Sequence, residues 1–431
     1  MRAGEKPPSD WKVGTEHEKI GLHTEDASLV EYGGDRGIGA LLESMAVMGG
    51  WKPVSEGDNV VALFKDGASI TLEPGGQLEL SGAPLRTIHE TCREIQTHLD
   101  LVRRASEPLD IAWLGLGIHP FHAADEVPSM PKARYRIMRS YLPTRGSRAL
   151  VMMFATATVQ ANFDYASEAD MIEKVRISLA IQPIISSIFA NSGFSECKSN
   201  GFASKRLYAW NDTDPDRCGM LPIAFDPDFG YRRYVEWALD IPMFFVVRNN
   251  EYHAAHDQTF RQFMHSGRGE FRATFADFGV HLTTLFPDVR VKQFIEVRGA
   301  DAVPSHMLCS LPAIWKGVLY NAGARAAAWE LVGHASQADR EHAQREVARH
   351  GMQARYAERP ILELGRELAE IARSGLAEIG HPGEDSPDET SFLEPVFEQL
   401  DLGKSPGQVI CDRWDGDWNG SADRLIEYAR Y

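Results

Sequence analysis

The chain has 431 residues, a formal net charge of −16, 43% hydrophobic and 25% charged residues, a balance ordinary for a globular protein with a large buried core. It lacks the clustered Lys and Arg of a nucleic-acid surface, and no apolar run approaches the roughly 20 residues that cross a bilayer. The N-terminal MRAGEKPPSDW has no apolar core for a secretory signal and is short for a transit peptide. A cytoplasmic protein with small-molecule partners and neither nucleic acid nor membrane is therefore expected, as a monomer or homodimer.

The first stretch of interest is KVGTEHEKIG, Lys12 to Gly21, which reads as a strand. Side chains alternate faces along a strand, so Glu16 and Glu18 point the same way. Adjacent carboxylates repel unless water, a cation or a ligand lies between them; a solvated strand face is the plain alternative. In SITLEPGGQLELSG, Ile70 and Leu72 share one face, and Ser69, Thr71 and Glu73 the other. A two-residue loop on Gly75-Gly76 would mix the faces. A three-residue loop centred on Gly76 keeps them apart and pairs Glu73 with Glu79. Like charges facing each other are destabilising, so a purely structural hairpin would not carry them.

Leu85, Ile88, Cys92, Ile95, Leu99 and Val102 recur at spacings of three and four, which predicts an amphipathic helix. TVQANFD follows as a strand whose polar face carries Thr158, Gln160, Asn162 and Asp164. Ser167 caps the next helix, which Pro183 should kink or divide. In KQFIEVRGAD, Ile295 and Val297 go to the core, while Glu296 and Arg298 share the other face. Beyond about Trp315 the chain is helical, interrupted by an acidic loop, HPGEDSPDETS, expected to be exposed and mobile. Strands and helices come in clumps, which favours an α+β fold on an antiparallel sheet. No P-loop and no good G-x-G-x-x-G turn is present. The expected organisation is a catalytic domain over 1–320 and a helical region over 321–431 packed on it.

Together the strands gather Glu16, Glu18, Glu73, Glu79 and Glu296 on one open face, with amides and an arginine. Five carboxylates there call for cations, and magnesium binds through carboxylates and substrate phosphates.

GTEHEK, LEPGGQLELSGAPLRTIHETC, MPKARYRIM, TVQANFDYASEADM, NGFASKR, NDTDPDRCGMLP and EVRGAD, in order from Gly14 to about Trp315, resemble the glutamate–cysteine ligases of the plant and proteobacterial type. The resemblance implies an antiparallel sheet of the glutamine synthetase kind, with ATP and two or more Mg²⁺ on its open face. It implies formation of γ-glutamylcysteine from glutamate and cysteine through a γ-glutamyl phosphate, a step of glutathione biosynthesis. On this reading Glu16, Glu18, Glu73, Glu79 and Glu296 are metal ligands, and Glu296 and Arg298 are catalytic, with Arg298 at the transferring phosphate. Gln160 and Asn162 join Arg298 in orienting the nucleotide. Arg134 in MPKARY and Arg206 in SKRLYAW are the candidates for substrate carboxylates.

The departures fall on expected substrate positions. Ala155 stands where the family has Arg, Phe244 where it has Tyr, and Ser305 in the segment where it has Trp. A paralogue joining another acid or amine is therefore the alternative, with a non-catalytic binding protein further behind. One plant-type cysteine pair is missing; the other has counterparts in Cys92 and Cys309. Cys92 lies on the apolar helix stripe, so a buried free thiol is expected in a reducing cytoplasm, and a bridge is the alternative.

Overall fold

In the computed structural model, which describes residues 1–384 and 386–431, KVGTEHEKIG forms most of an eleven-residue strand, β1 (Val13–His23). β1 is the axis of a nine-stranded sheet. On one side it pairs with β5 (Leu78–Ser81), followed by β4 (Ala68–Leu72), β3 (Asn59–Lys65) and the edge strand β2 (Lys52–Glu56). On the other it pairs with β7 (Thr158–Phe163), then with the strands Ile295–Asp301 and Val289–Val291; β6 (Ile111–Leu114) takes its far half. Every ladder of this sheet is antiparallel, as the clumped pattern of elements requires.

Helices α1 (Ile38–Gly49), α2 (Ile88–Ser106), α3 (Ala133–Tyr141), α4 (Ala149–Ala155), α5 (Glu168–Ile188) and α6 (Lys205–Trp210) surround it. The Thr87–Glu90 capping box starts α2, and Ser167 accepts from the Asp170 amide at the start of α5. Pro183 does not divide α5, which runs through it with every residue from Ile177 to Ile188 buried. Packing on all sides offsets the hydrogen bond that proline removes. The helix Ile361–Ile379 lies on the helix Ser310–Leu319, and Leu364, Leu368 and Leu376 share one core with Val159 and Ala161 of β7. The C-terminal residue closes onto the sheet, the Tyr431 amide donating to Trp113 O of β6.

The β4–β5 register differs from the sequence expectation. Glu79 lies opposite Thr71, and Leu72 opposite Leu78, so the loop is centred on Gly75 instead of Gly76. Gly75 presses on the Phe154 carbonyl, where a Cβ would come within 2.3 Å, and Gly76 adopts φ +83°. The Gly75 amide donates to Gln77 Oε1. The slip is two residues, and an even slip keeps every side chain on its face. Glu73 and Glu79 still face the same way, diagonal instead of opposite.

Two further expectations change. Cys92 and Cys309 are bonded, with Cα atoms 5.8 Å apart, tying α2 to the start of the Ser310–Leu319 helix. Within the acidic loop Asp385 lies outside the described residues, but Glu389 is not exposed. It is fully buried against the buried Lys316 ammonium, 2.6 Å away, and accepts from the Ile88 amide at 2.6 Å. A buried pair of this kind holds only when both charges are matched, which fixes this part of the loop against α2.

Candidate active site

β1 lays out the site. Its register sets Glu18 directly opposite Glu79 of β5 and Glu16 opposite Gln160 of β7. One strand further, Asn162 stands opposite Glu296. The acids and amides named from the sequence thus occupy neighbouring positions on one face of four adjacent strands, with Glu73 joining from the β4–β5 loop. Glu18, Glu73, Gln160, Arg206 and Arg298 line a narrow cleft of about 70 Å³.

Electrostatics divides the acids into two groups. Burial, and then Glu296 and Glu79, push Glu16 up to about 7. Burial and then Glu73 and Glu79 hold Glu18 well above the carboxylate range, and burial with Glu73 raises Glu79. The opposing charges, Lys292 for Glu16, Arg206 for Glu18 and Lys132 for Glu79, do not offset this. Glu296 is the opposite case. Burial alone would raise it, yet Arg290, Arg298 and Lys292 hold it far below the carboxylate range. Its Oε1 lies 2.6 Å from Arg290 Nη2 and also meets Arg298 Nη1, while its Oε2 lies 2.7 Å from Lys292 Nζ. A carboxylate so paired anchors Arg298, a part it takes beside the metal-ligand role expected of it. Arg290 and Lys292 were missed. Their signal was an alternation, Arg290, Lys292, Glu296 and Arg298 falling at even spacing in VRVKQFIEVR.

Arg298 also donates to Gln160 Oε1 at 2.7 Å. A bulge between Val297 and Ala300 sets its course, where Gly299 meets the Gln182 amide of α5 so closely that a Cβ would lie 2.0 Å away. Arg206 of α6 is 3% exposed; it donates to the Arg298 carbonyl at 3.0 Å and pairs with Asp301 at 3.8 Å. It supports Arg298 as well as lining the cleft. Arg134 donates to the Tyr135 hydroxyl and feels Glu73, leaving its Nε unpartnered. Lys132, also missed, is buried with Nζ on Leu72 O at 2.8 Å, and burial lowers it to about 8. Asn162 donates to Glu16 Oε1 at 2.9 Å, and its own Oδ1 is buried without a partner.

The three departures from the family pattern lie elsewhere. Ala155 ends α4, buried, with its carbonyl accepting from the His119 amide. Phe244 is in the core, stacked by Arg217 at 3.9 Å and beside Tyr141 and Phe286. Ser305 is exposed in a turn over Ser305–Met307. None of the three lines the cleft, whose wall is made by Met138, Met152, Trp210 and Phe286 instead. The family resemblance had suggested these as substrate positions, and none of them lines this cleft.

The donor set fits magnesium in its chemistry: all oxygen, with three carboxylates held above their ordinary range by burial and by neighbouring carboxylates. Among the described residues no three acids, histidines or cysteines converge as a ready-made cage, which suits an ion that is bound through one or two carboxylates plus substrate phosphates.

A family model for glutamate-cysteine ligase family 2 matches residues 12–428. The chain belongs to that family. The chain is 41% identical to the chloroplastic glutamate–cysteine ligases of Brassica juncea and Arabidopsis thaliana, each over 436 residues, covering all of this chain and 83% and 81% of those proteins. In fold it is similar to the glutamate–cysteine ligase of Francisella tularensis, crystallised with AMP, at a TM-score of 0.60 and 11% identity over 97% of this chain and 87% of that one. Family membership makes the chain an ATP-dependent ligase. It also overturns the cytoplasmic expectation, since the relatives matching the whole chain are chloroplastic by name. Charge and hydropathy set solubility, not compartment, so composition had no means of deciding it. The premise of a reducing cytoplasm, which favoured free thiols at Cys92 and Cys309, goes with it.

Proposed function

We propose that the β1–β5–β7 face is where glutamate and cysteine are joined to γ-glutamylcysteine at the expense of ATP. The observation that carries this reading is the row of under-compensated acids, Glu16, Glu18 and Glu79, beside an arginine fixed by Glu296 and Gln160. Phosphoryl transfer is mainly positioning and charge neutralisation. Glu16, Glu18, Glu79 and Glu73 would hold Mg²⁺, one or two carboxylates to each ion, and the metal would supply neutralisation of the triphosphate. Arg298, fixed on two sides, presents its guanidinium to the phosphoryl group passing to the γ-carboxylate of glutamate. Gln160 and Asn162 orient the phosphates. Arg134, with an unpartnered Nε beside Glu73, takes a substrate carboxylate, and Arg206 holds the Arg298 backbone in place. The acyl phosphate is then attacked by the cysteine amine, releasing phosphate. The narrow wall of Met138, Met152 and Trp210 keeps water from that intermediate.

Ala155, Phe244 and Ser305 lie outside the cleft, so their divergence gives no support to an altered acceptor. The test is a coupled assay with ATP, Mg²⁺ and paired substrates, with mass analysis of the product. ADP and γ-glutamylcysteine should form only when glutamate and cysteine are both present. Equal turnover with an unrelated acid or amine would refute the reading.

A further inference from the structure

The bulge between Val297 and Ala300 breaks the ladder to β7 at Arg298. Bulged residues lose their ladder partners, and buried carbonyls freed in this way have to be met by other groups. Each of the three successive carbonyls here is met by a side chain, and each side chain comes from a different element. The Arg298 carbonyl accepts from Arg206 Nη2 of α6 at 3.0 Å, and Gly299 O from Ser186 Oγ of α5 at 3.0 Å. Ala300 O accepts from Thr158 Oγ1 of β7 at 2.6 Å.

Ser186 is itself held in place. It is 2% exposed, and Gln182, one turn earlier on the same helix face, donates to its Oγ at 3.0 Å. The Gln182 amide also fills the space that a side chain at Gly299 would need, so α5 grips the bulge at a carbonyl and at an α-carbon. The next residue behaves differently. Ser187 is just as buried, but its hydroxyl donates to Ile184 O of its own helix. Of two adjacent buried hydroxyls, one reaches across to the sheet. Thr158 adds a link to the acids, since its amide donates to Glu18 Oε2 at 3.0 Å while its hydroxyl holds Ala300 O.

We propose that Ser186, backed by Gln182, is a positioning residue for phosphoryl transfer, which fixes the bulge so that the Arg298 guanidinium is already aimed when the substrates bind. Glu296 and Gln160 set the far end of the arginine, and the bulge sets its near end. Ser186 takes no part in the cleft wall, so its effect passes through Arg298. The inference rests on the phosphoryl role given to Arg298 above. Without the Ser186 hydroxyl, Gly299 O is buried and unmet, the bulge relaxes, and the guanidinium moves off its line. A contact that tightens in the transition state is then lost from kcat and not from KM.

The experiment is steady-state kinetics of Ser186→Ala, Ser187→Ala, Arg298→Lys and the Ser186→Ala/Arg298→Lys double variant. Ser186→Ala should lower kcat about tenfold and leave KM for ATP and glutamate within about twofold, while Ser187→Ala keeps the wild-type kcat. In the Arg298→Lys background the Ser186→Ala loss should shrink to less than about twofold, because the group it positions is gone. Thr158→Val, which frees the next carbonyl, should repeat the kcat-selective loss and gives the same comparison if Ser186→Ala does not fold. An unchanged kcat in Ser186→Ala, or equal losses in both backgrounds, would overturn the proposal and leave the role of Arg298 standing. Near-normal turnover of Arg298→Lys would instead reject the reading of the active site, and this inference with it.

Discussion

Replacing Glu79 with Gln should make the metal-free protein more stable and the enzyme inactive. Glu79 and Glu18 are directly opposite in an antiparallel register and are 8% and 9% exposed. Side chains so placed start about 5 Å apart. Two full charges at that distance repel by about 3 kcal/mol at an effective dielectric near 20. The substitution leaves no new orphan, because the Gln carbonyl can still accept from Ser81, at 2.6 Å, and from Thr71, at 3.3 Å. Since burial already raises both acids, only part of that repulsion is expressed, and a gain of roughly 1–2 kcal/mol, growing as rising pH ionises both, is expected in a chelator. With Mg²⁺ the sign reverses: losing one carboxylate ligand should cost at least about a hundredfold in kcat/KM. Urea unfolding with and without Mg²⁺, and steady-state kinetics, measure both arms. A variant no more stable in chelator and near-normal in turnover would refute the argument that these acids wait for a cation.

Arg298→Lys cannot span Gln160 and Glu296 together, so kcat should fall roughly a hundredfold to a thousandfold, with the melting temperature little changed; a loss under tenfold would remove Arg298 from the phosphoryl site. Ser305→Trp, restoring the family's aromatic in this segment, should alter kcat/KM for cysteine by no more than about twofold, as expected of an exposed position outside the cleft. A tenfold change would return Ser305 to the substrate site. Reducing the Cys92–Cys309 bridge, or Cys92→Ser, should cost about 2–5 kcal/mol in thermal or urea unfolding, and an unchanged melt would show that the bridge contributes nothing. Burial pushes His119 down to about 3, and its Nδ1 accepts from the His122 amide at 3.2 Å. Its folded value lies below the unfolded one, so its contribution is complete above about pH 6.5 and is lost as pH falls towards 3. By pH 5 this amounts to about 2 kcal/mol. His119→Asn should flatten that part of the acid-stability curve, and an identical slope in wild type and variant would refute it.

The sequence by itself determined which side chains share a face. Alternation along a strand has a period of two, so Glu16 with Glu18, Gln160 with Asn162, and Glu296 with Arg298 were legible from local pattern, as was the apolar stripe of α2. Even the misplaced β4–β5 loop left Glu73 and Glu79 on the right side, because a two-residue slip preserves parity. Only the tertiary structure decided which strands lie beside one another, and hence that the direct confrontation is Glu18 with Glu79. It also decided which acids are already neutralised. Arg290 and Lys292 reach Glu296 because the Val289–Val291 strand folds back on Ile295–Asp301, while among the described residues Glu16, Glu18 and Glu79 make no direct ion pair, and Lys292, Arg206 and Lys132 do not offset their burial. The bridge across 217 residues, the burial of Glu389 and the distance of Ala155, Phe244 and Ser305 from the cleft are of the same kind. Each depends on contacts between segments far apart in the chain, and local periodicity carries no information about those.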